Sequence, residues 1–122
     1  MENHAVHRKV LVIEPDDLLR QLLYLWLTEA GYAVELRSSV QGESVTQPDL
    51  VVVNVPRATD LPAALNLMRT RYRVPMLAVS ARFRRGLGGS EDAARRLGVR
   101  RVLPTPFSRE ELLQSIEDSL HT

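Results

Sequence analysis

Five short apolar runs recur along the chain, and most are followed by a stretch with helical spacing. This alternation limits the fold more than any other feature. Lys9-Val-Leu-Val-Ile13 is the first run, and Ala33–Arg37, Leu50–Val53, Met76–Val79 and Arg101–Leu103 follow. Runs this short, with no polar alternation in the first and third, read as strands covered on both faces. Asp16 and Asp17 offer an N-cap to a helix that reaches about Ala30 and closes at Gly31. Asp60 and Pro62 open another, with Leu61, Ala64, Leu65, Met68 and Tyr72 on one face. Ser90-Glu91-Asp92 begins a short helix that ends at Gly98, where Arg95 and Arg96 complement its dipole. Ser108 and Glu111 form a capping box ahead of Leu112, Leu113, Ile116 and Leu120.

Strand–helix repetition of this kind implies a parallel sheet with helices on both faces. The expected architecture is a doubly wound, flavodoxin-like α/β fold of five strands in the order 2-1-3-4-5. The interval from Tyr32 to Pro48 is short and contains Gly42, Ser44 and Thr46, so the second helix is expected to be a stub or absent. With 122 residues the chain has room for one core, expected over 9–121 after a disordered segment 1–8. No apolar run reaches the roughly 20 residues of a membrane span, and Met1–Arg8 lacks the apolar stretch of a secretion signal. Cysteine is absent, which excludes disulfides and thiolate metal sites, and the three histidines sit in the termini. A cytoplasmic location is expected.

In such sheets ligands sit beyond the carboxyl ends of the strands, and the residues there carry a resemblance. Lys-Val-Leu-Val-Ile with Arg20, Ala-Gly-Tyr-Ala-Val at 30–34 and Pro-Asp-Leu-Val-Val-Val at 48–53 form its first half. Val-Pro-Met-Leu-Ala-Val-Ser-Ala at 74–81 and Pro-Phe-Ser-Arg-Glu-Glu-Leu-Leu at 106–113 form its second. Together, from Lys9 to about Leu120, the chain resembles the receiver domains of two-component response regulators. The resemblance implies a Mg²⁺-dependent aspartyl phosphorylation site: two acids after the first strand, a nucleophilic aspartate after the third, a hydroxyl after the fourth and a lysine after the fifth. Glu14 matches the first acid, Pro15 replaces the second, and Asn54 stands at the aspartate. Ser80 matches the hydroxyl and Thr105 replaces the lysine, ahead of a proline that in this family usually follows a cis bond. Val102 occupies the aromatic switch position.

An amide is not a carboxylate nucleophile, and Mg²⁺ sites usually include one or two carboxylates. The expectation is a degenerate pocket, a pseudo-receiver that takes up neither phosphoryl group nor Mg²⁺ and is not an enzyme. The leading reading is a phosphorylation-independent signalling module that binds a protein partner. Its docking face, by family analogy, would carry Arg95, Arg96, Arg100 and Arg101. An alternative is a sensor of a phosphorylated or cyclic nucleotide that uses the loop 82–89, where Arg82, Arg84 and Arg85 stand among glycines and Phe83. That loop lacks the spacing of a P-loop, and a mobile solvated loop explains it as well. A third reading is a conventional receiver phosphorylated at an improvised site.

Charge distribution motivates the arginine readings, since ten arginines lie between Arg69 and Arg101 against only Glu91 and Asp92. An arginine-rich composition with solvated helix faces would give the same pattern. Leucines cover an arc of roughly 200° on the first helix, wider than the stripe a core needs. Leu18, Leu25 or Leu27 is therefore a candidate dimer contact, with burial against neighbours on two sides as the competing explanation. DNA binding is not expected, since no reading module follows the receiver-like region.

Overall fold

The structure is a computed structural model that describes residues 7–42, 47–81 and 89–121. Its strands are β1 (Lys9–Ile13), β2 (Ala33–Arg37), β3 (Leu50–Val53), β4 (Met76–Ser80) and β5 (Arg101–Pro104). They form one five-stranded sheet in the order β2-β1-β3-β4-β5, and each neighbouring pair runs parallel. The helices are α1 (Asp17–Glu29), α2 (Leu61–Tyr72) after a 3₁₀ turn at Ala58–Asp60, α3 (Gly89–Leu97) and α4 (Arg109–Leu120).

The local signals account for these boundaries. Asp16 is the N-cap of α1, and its carboxylate accepts from the Leu19 N–H at 2.9 Å. Ser108 and Glu111 make the full reciprocal capping box at α4. Pro62 sits in the first turn of α2, but the Asp60 side chain makes no capping bond there.

Alternate residues of each strand face opposite layers. Val10, Val12, Leu50, Val52, Leu77, Val79 and Leu103 pack with α1 and α4 residues such as Leu23, Leu27, Leu112 and Ile116. Leu11, Ile13, Val51, Val53, Met76, Ala78 and Val102 pack with α2 and α3, where Leu65, Met68 and Ala94 are buried. Central strands apolar on both faces are thus buried on both faces.

No helix lies among the described residues between β2 and β3. The chemistry of β2 fits that gap. Its inner face, Val34 and Leu36, packs into the α1 layer, while the face that a helix would cover bears Glu35 and Arg37. Glu35 pairs there with Lys9 of β1 at 2.8 Å and with Arg37 at 3.0 Å. The loop after β2 folds back over this side, where Arg71 Nη1 donates to the Val40 carbonyl at 3.1 Å and to the Gly42 carbonyl.

Residues 1–6 of the expected disordered segment lie outside the described residues. Its last two are tied to the sheet edge: His7 Nδ1 is 2.8 Å from the Gly31 carbonyl oxygen, and the Ala33 N–H donates to the Arg8 carbonyl at 2.9 Å. Among the described residues no helix is long and apolar enough to cross a membrane.

Candidate functional site

Parallel strands deliver the residues that follow them to one edge of the sheet. Glu14, Pro15, Asn54, Ser80 and Thr105 all arrive there and line one cavity of about 360 Å³, together with Val55 and Pro56. Sequence positions up to 91 residues apart are thereby brought together, as the fold class requires.

Glu14 is the buried carboxylate of this pocket, with 1% of its surface exposed. The Asn54 side-chain amide donates to its Oε1 at 2.8 Å, and the Asp16 backbone N–H donates to its Oε2 at 3.0 Å. A buried carboxylate left without donors would be costly, and two neutral donors meet that demand. Arg20 braces the turn from the far side: Nη1 donates to the Glu14 carbonyl at 2.8 Å, and Nη2 pairs with Asp17. The sequence shows Arg20 only as part of the first matched segment, without this bracing role. An arginine six residues after a strand-end acid is the signal that was available.

Asp16 also lines this cavity. Its side chain is exposed and caps α1, as the N-cap pattern implied. Ser80 is buried at the end of β4, and its carbonyl accepts from the Thr105 N–H at 3.3 Å. The Thr105–Pro106 bond is cis, as the resemblance implied.

Val102 is buried in the α3 layer and lines a second cavity of about 430 Å³ with Arg95, Arg100, Arg101 and Glu91. Arg96 is exposed and outside that lining. Arg101 pairs with Asp118 at 3.3 Å and Arg95 with Asp92 at 3.6 Å, so part of the positive charge is matched locally. Arg82, Arg84 and Arg85, with Phe83, lie outside the described residues.

One expected surface contact is corrected. Leu27 is fully buried in the α1–α4 layer and cannot be a dimer contact. It stands four residues after Leu23, one turn along the inward stripe. Leu18 is 82% exposed and Leu25 50% exposed, with Leu22 between them at 36%.

In sequence and in fold the chain is similar to response-regulator receiver domains. The chain is similar to transcriptional regulatory protein PdtaR of Mycobacterium tuberculosis, 32% identical over 120 residues that cover 93% of this chain and 57% of that protein. It is 32% identical to response regulator MprA of Mycolicibacterium vanbaalenii over 111 residues, covering 86% of this chain and 47% of that one. The chain therefore spans about half the length of these relatives. No family model matches it. Among solved structures, chemotaxis regulator CheY4 of Vibrio cholerae shares the fold with a TM-score of 0.76 at 22% identity, covering 94% of this chain and all of that one. The receiver domain of a Pseudomonas aeruginosa sensor histidine kinase, solved with magnesium in its active-site cleft, gives 0.75 at 21%, covering 96% of this chain and 100% of that one.

Proposed function

We propose that this chain is a pseudo-receiver: a signalling module that works by binding a protein partner, with no phosphoryl transfer and no Mg²⁺ requirement. The observation that carries the reading is the 2.8 Å hydrogen bond from the Asn54 amide to Glu14. In a phosphorylatable receiver that place belongs to a nucleophilic aspartate beside a metal-binding acid. Here an amide sits there and its N–H is directed at the acid.

The donor set does not fit Mg²⁺. Magnesium asks for oxygen ligands in a near-octahedral shell, usually with one or two carboxylates. Both Glu14 oxygens already accept hydrogen bonds, Pro15 offers no side-chain oxygen, and the Asp16 carboxylate is engaged as a helix cap. Nor does Thr105 supply the fixed cation that would neutralise phosphoryl oxygens. The Asn54 bond removes the repulsion that a pocket of several carboxylates has to manage. The protein therefore holds the pocket closed on itself, and signalling must come from surfaces. The arginine-bearing face of α3 and β5 is the proposed docking surface, and Leu18 and Leu25 remain available for a contact between copies.

A titration with Mg²⁺ and beryllofluoride, followed by amide NMR, tests this. Unchanged resonances around Glu14, Asn54, Ser80 and Thr105 are expected. Saturable shifts there would mean that the pocket takes its ion and the phosphoryl mimic, and the reading would fail.

A further inference from the structure

At the amino-terminal end of the strands, opposite the Glu14 pocket, α2 and α3 both finish, and a cavity of about 400 Å³ opens beside their last residues. Arg69, Arg73 and Arg100 line it with Pro75 and Gly98, and no acidic side chain is among its described lining residues. Cations gathered in this way repel one another. The carboxyl ends of the two helix dipoles offset part of that repulsion.

Arg69 is a fixed member. Its Nη2 donates to the Leu97 carbonyl at 2.7 Å and to the Gly98 carbonyl at 3.1 Å, and its Nη1 donates to Asn66 Oδ1 at 2.9 Å. Gly98 admits this approach, because a β-carbon there would lie 2.6 Å from Nη2, on a backbone whose φ is 71°. The guanidinium is thus held in one orientation before any ligand arrives.

Arg73 is the more telling residue. It ends α2 in the left-handed conformation, φ 53° and ψ 41°, and is the one non-glycine residue with positive φ among the described residues. Glycine or asparagine usually fills such a place, because a β-carbon is disfavoured there. A strained residue at the rim of a cavity is a pointer to a binding role for its side chain.

We propose that this cavity is an oxyanion site for a phosphorylated small molecule, with Arg69 as the fixed donor and Arg73 and Arg100 closing on the phosphate oxygens. Guanidinium forks match phosphate geometry in pairs. The volume exceeds that of a phosphate alone and leaves space for an organic body. Among its described lining residues the site shares none with the Glu14 pocket; it has Arg100 in common with the proposed docking surface, whereas Arg69 and Arg73 belong to it alone.

The test is a titration with pyrophosphate, at ionic strength held constant with sodium chloride, followed by amide NMR, with adenosine diphosphate as a second arm. Saturable shifts are expected at Arg73, Gly98, Val99 and Arg100. Arg73→Gly suits the left-handed backbone, so its urea midpoint should match or exceed that of the native chain while pyrophosphate binds about tenfold more weakly. Arg100→Gln should weaken binding without unfolding. Tighter binding of the nucleotide would show that the organic body is held too, and equal binding would show that the phosphates alone are read; both sustain the site. Absence of saturable shifts, an unchanged affinity in Arg73→Gly, or shifts centred on Ser80 and Thr105 or on Arg82–Arg85 would overturn it.

Discussion

Restoring the aspartate, by Asn54→Asp, should damage this protein rather than repair it. In the native pocket the Asn54 amide donates to Glu14 Oε1 at 2.8 Å, and Glu14 is almost wholly buried. The substitution removes a hydrogen bond to a carboxylate, a loss of about 1.5–3 kcal/mol. It also sets a second carboxyl against the first. Two like charges about 4 Å apart repel by roughly 4 kcal/mol at an effective dielectric constant near 20. Part of that is avoided if one carboxyl keeps its proton and donates it to the other. A net loss of about 3 kcal/mol at pH 8 is therefore expected, with a marked pH dependence. The introduced carboxyl binds its proton more tightly folded than unfolded, so the folded state holds more protons and stability falls as pH rises. The penalty should be small near pH 4, and should grow as pH climbs from the ordinary carboxyl range toward the raised folded value. Urea unfolding at pH 4.5 and pH 8, with and without Mg²⁺, gives the measurement. Equal stability of variant and native chain at pH 8 would refute the reasoning, and so would full rescue by Mg²⁺.

Three further outcomes follow from other parts of the fold. Burial, with Glu117 accepting from its hydroxyl at 2.8 Å, pushes the Tyr32 phenol up to about 12. Its contribution is complete below the ordinary value near 10 and lost as pH rises toward 12; ultraviolet titration should show a late phenol ionisation that Tyr32→Phe removes. Leu27→Ala should cost about 2–5 kcal/mol in urea unfolding, because Leu27 is fully buried. Leu18→Ala should stay within about 0.5 kcal/mol, since the side chain is largely exposed. Arg71→Ala should cost about 1–2 kcal/mol and speed amide exchange at the 38–42 loop, whose Val40 and Gly42 carbonyls it holds.

Read alone, the sequence determined the elements and their order. Period-two burial, caps at Asp16 and Ser108, and Gly31 and Gly98 at helix ends are written in neighbouring residues, because dihedral preferences and capping bonds act over a few positions. The strand order 2-1-3-4-5 was legible for the same reason, since few topologies accommodate this alternation. The pocket's members were legible as positions after strands, but their bonding was not. That Asn54 donates to Glu14 joins residues 40 apart, and only the register of β1 beside β3 decides it. Composition could not separate Leu27 from Leu18 and Leu25, because the leucine arc of α1 exceeds any single face. Packing against α4 and the sheet chose which leucines went inside. That no helix lies among the described residues between β2 and β3 agrees with the short interval, yet the reason the fold tolerates it is tertiary. The face of β2 turned away from α1 carries Glu35 and Arg37, and Glu35 pairs with both Arg37 and Lys9. Likewise, Arg69, Arg73 and Arg100 are unremarkable along the chain and come to one cavity only because α2 and α3 end side by side. Local chemistry sets what each segment becomes, whereas contacts across the sheet, which carry no sequence-local signature, decide what each charged group meets.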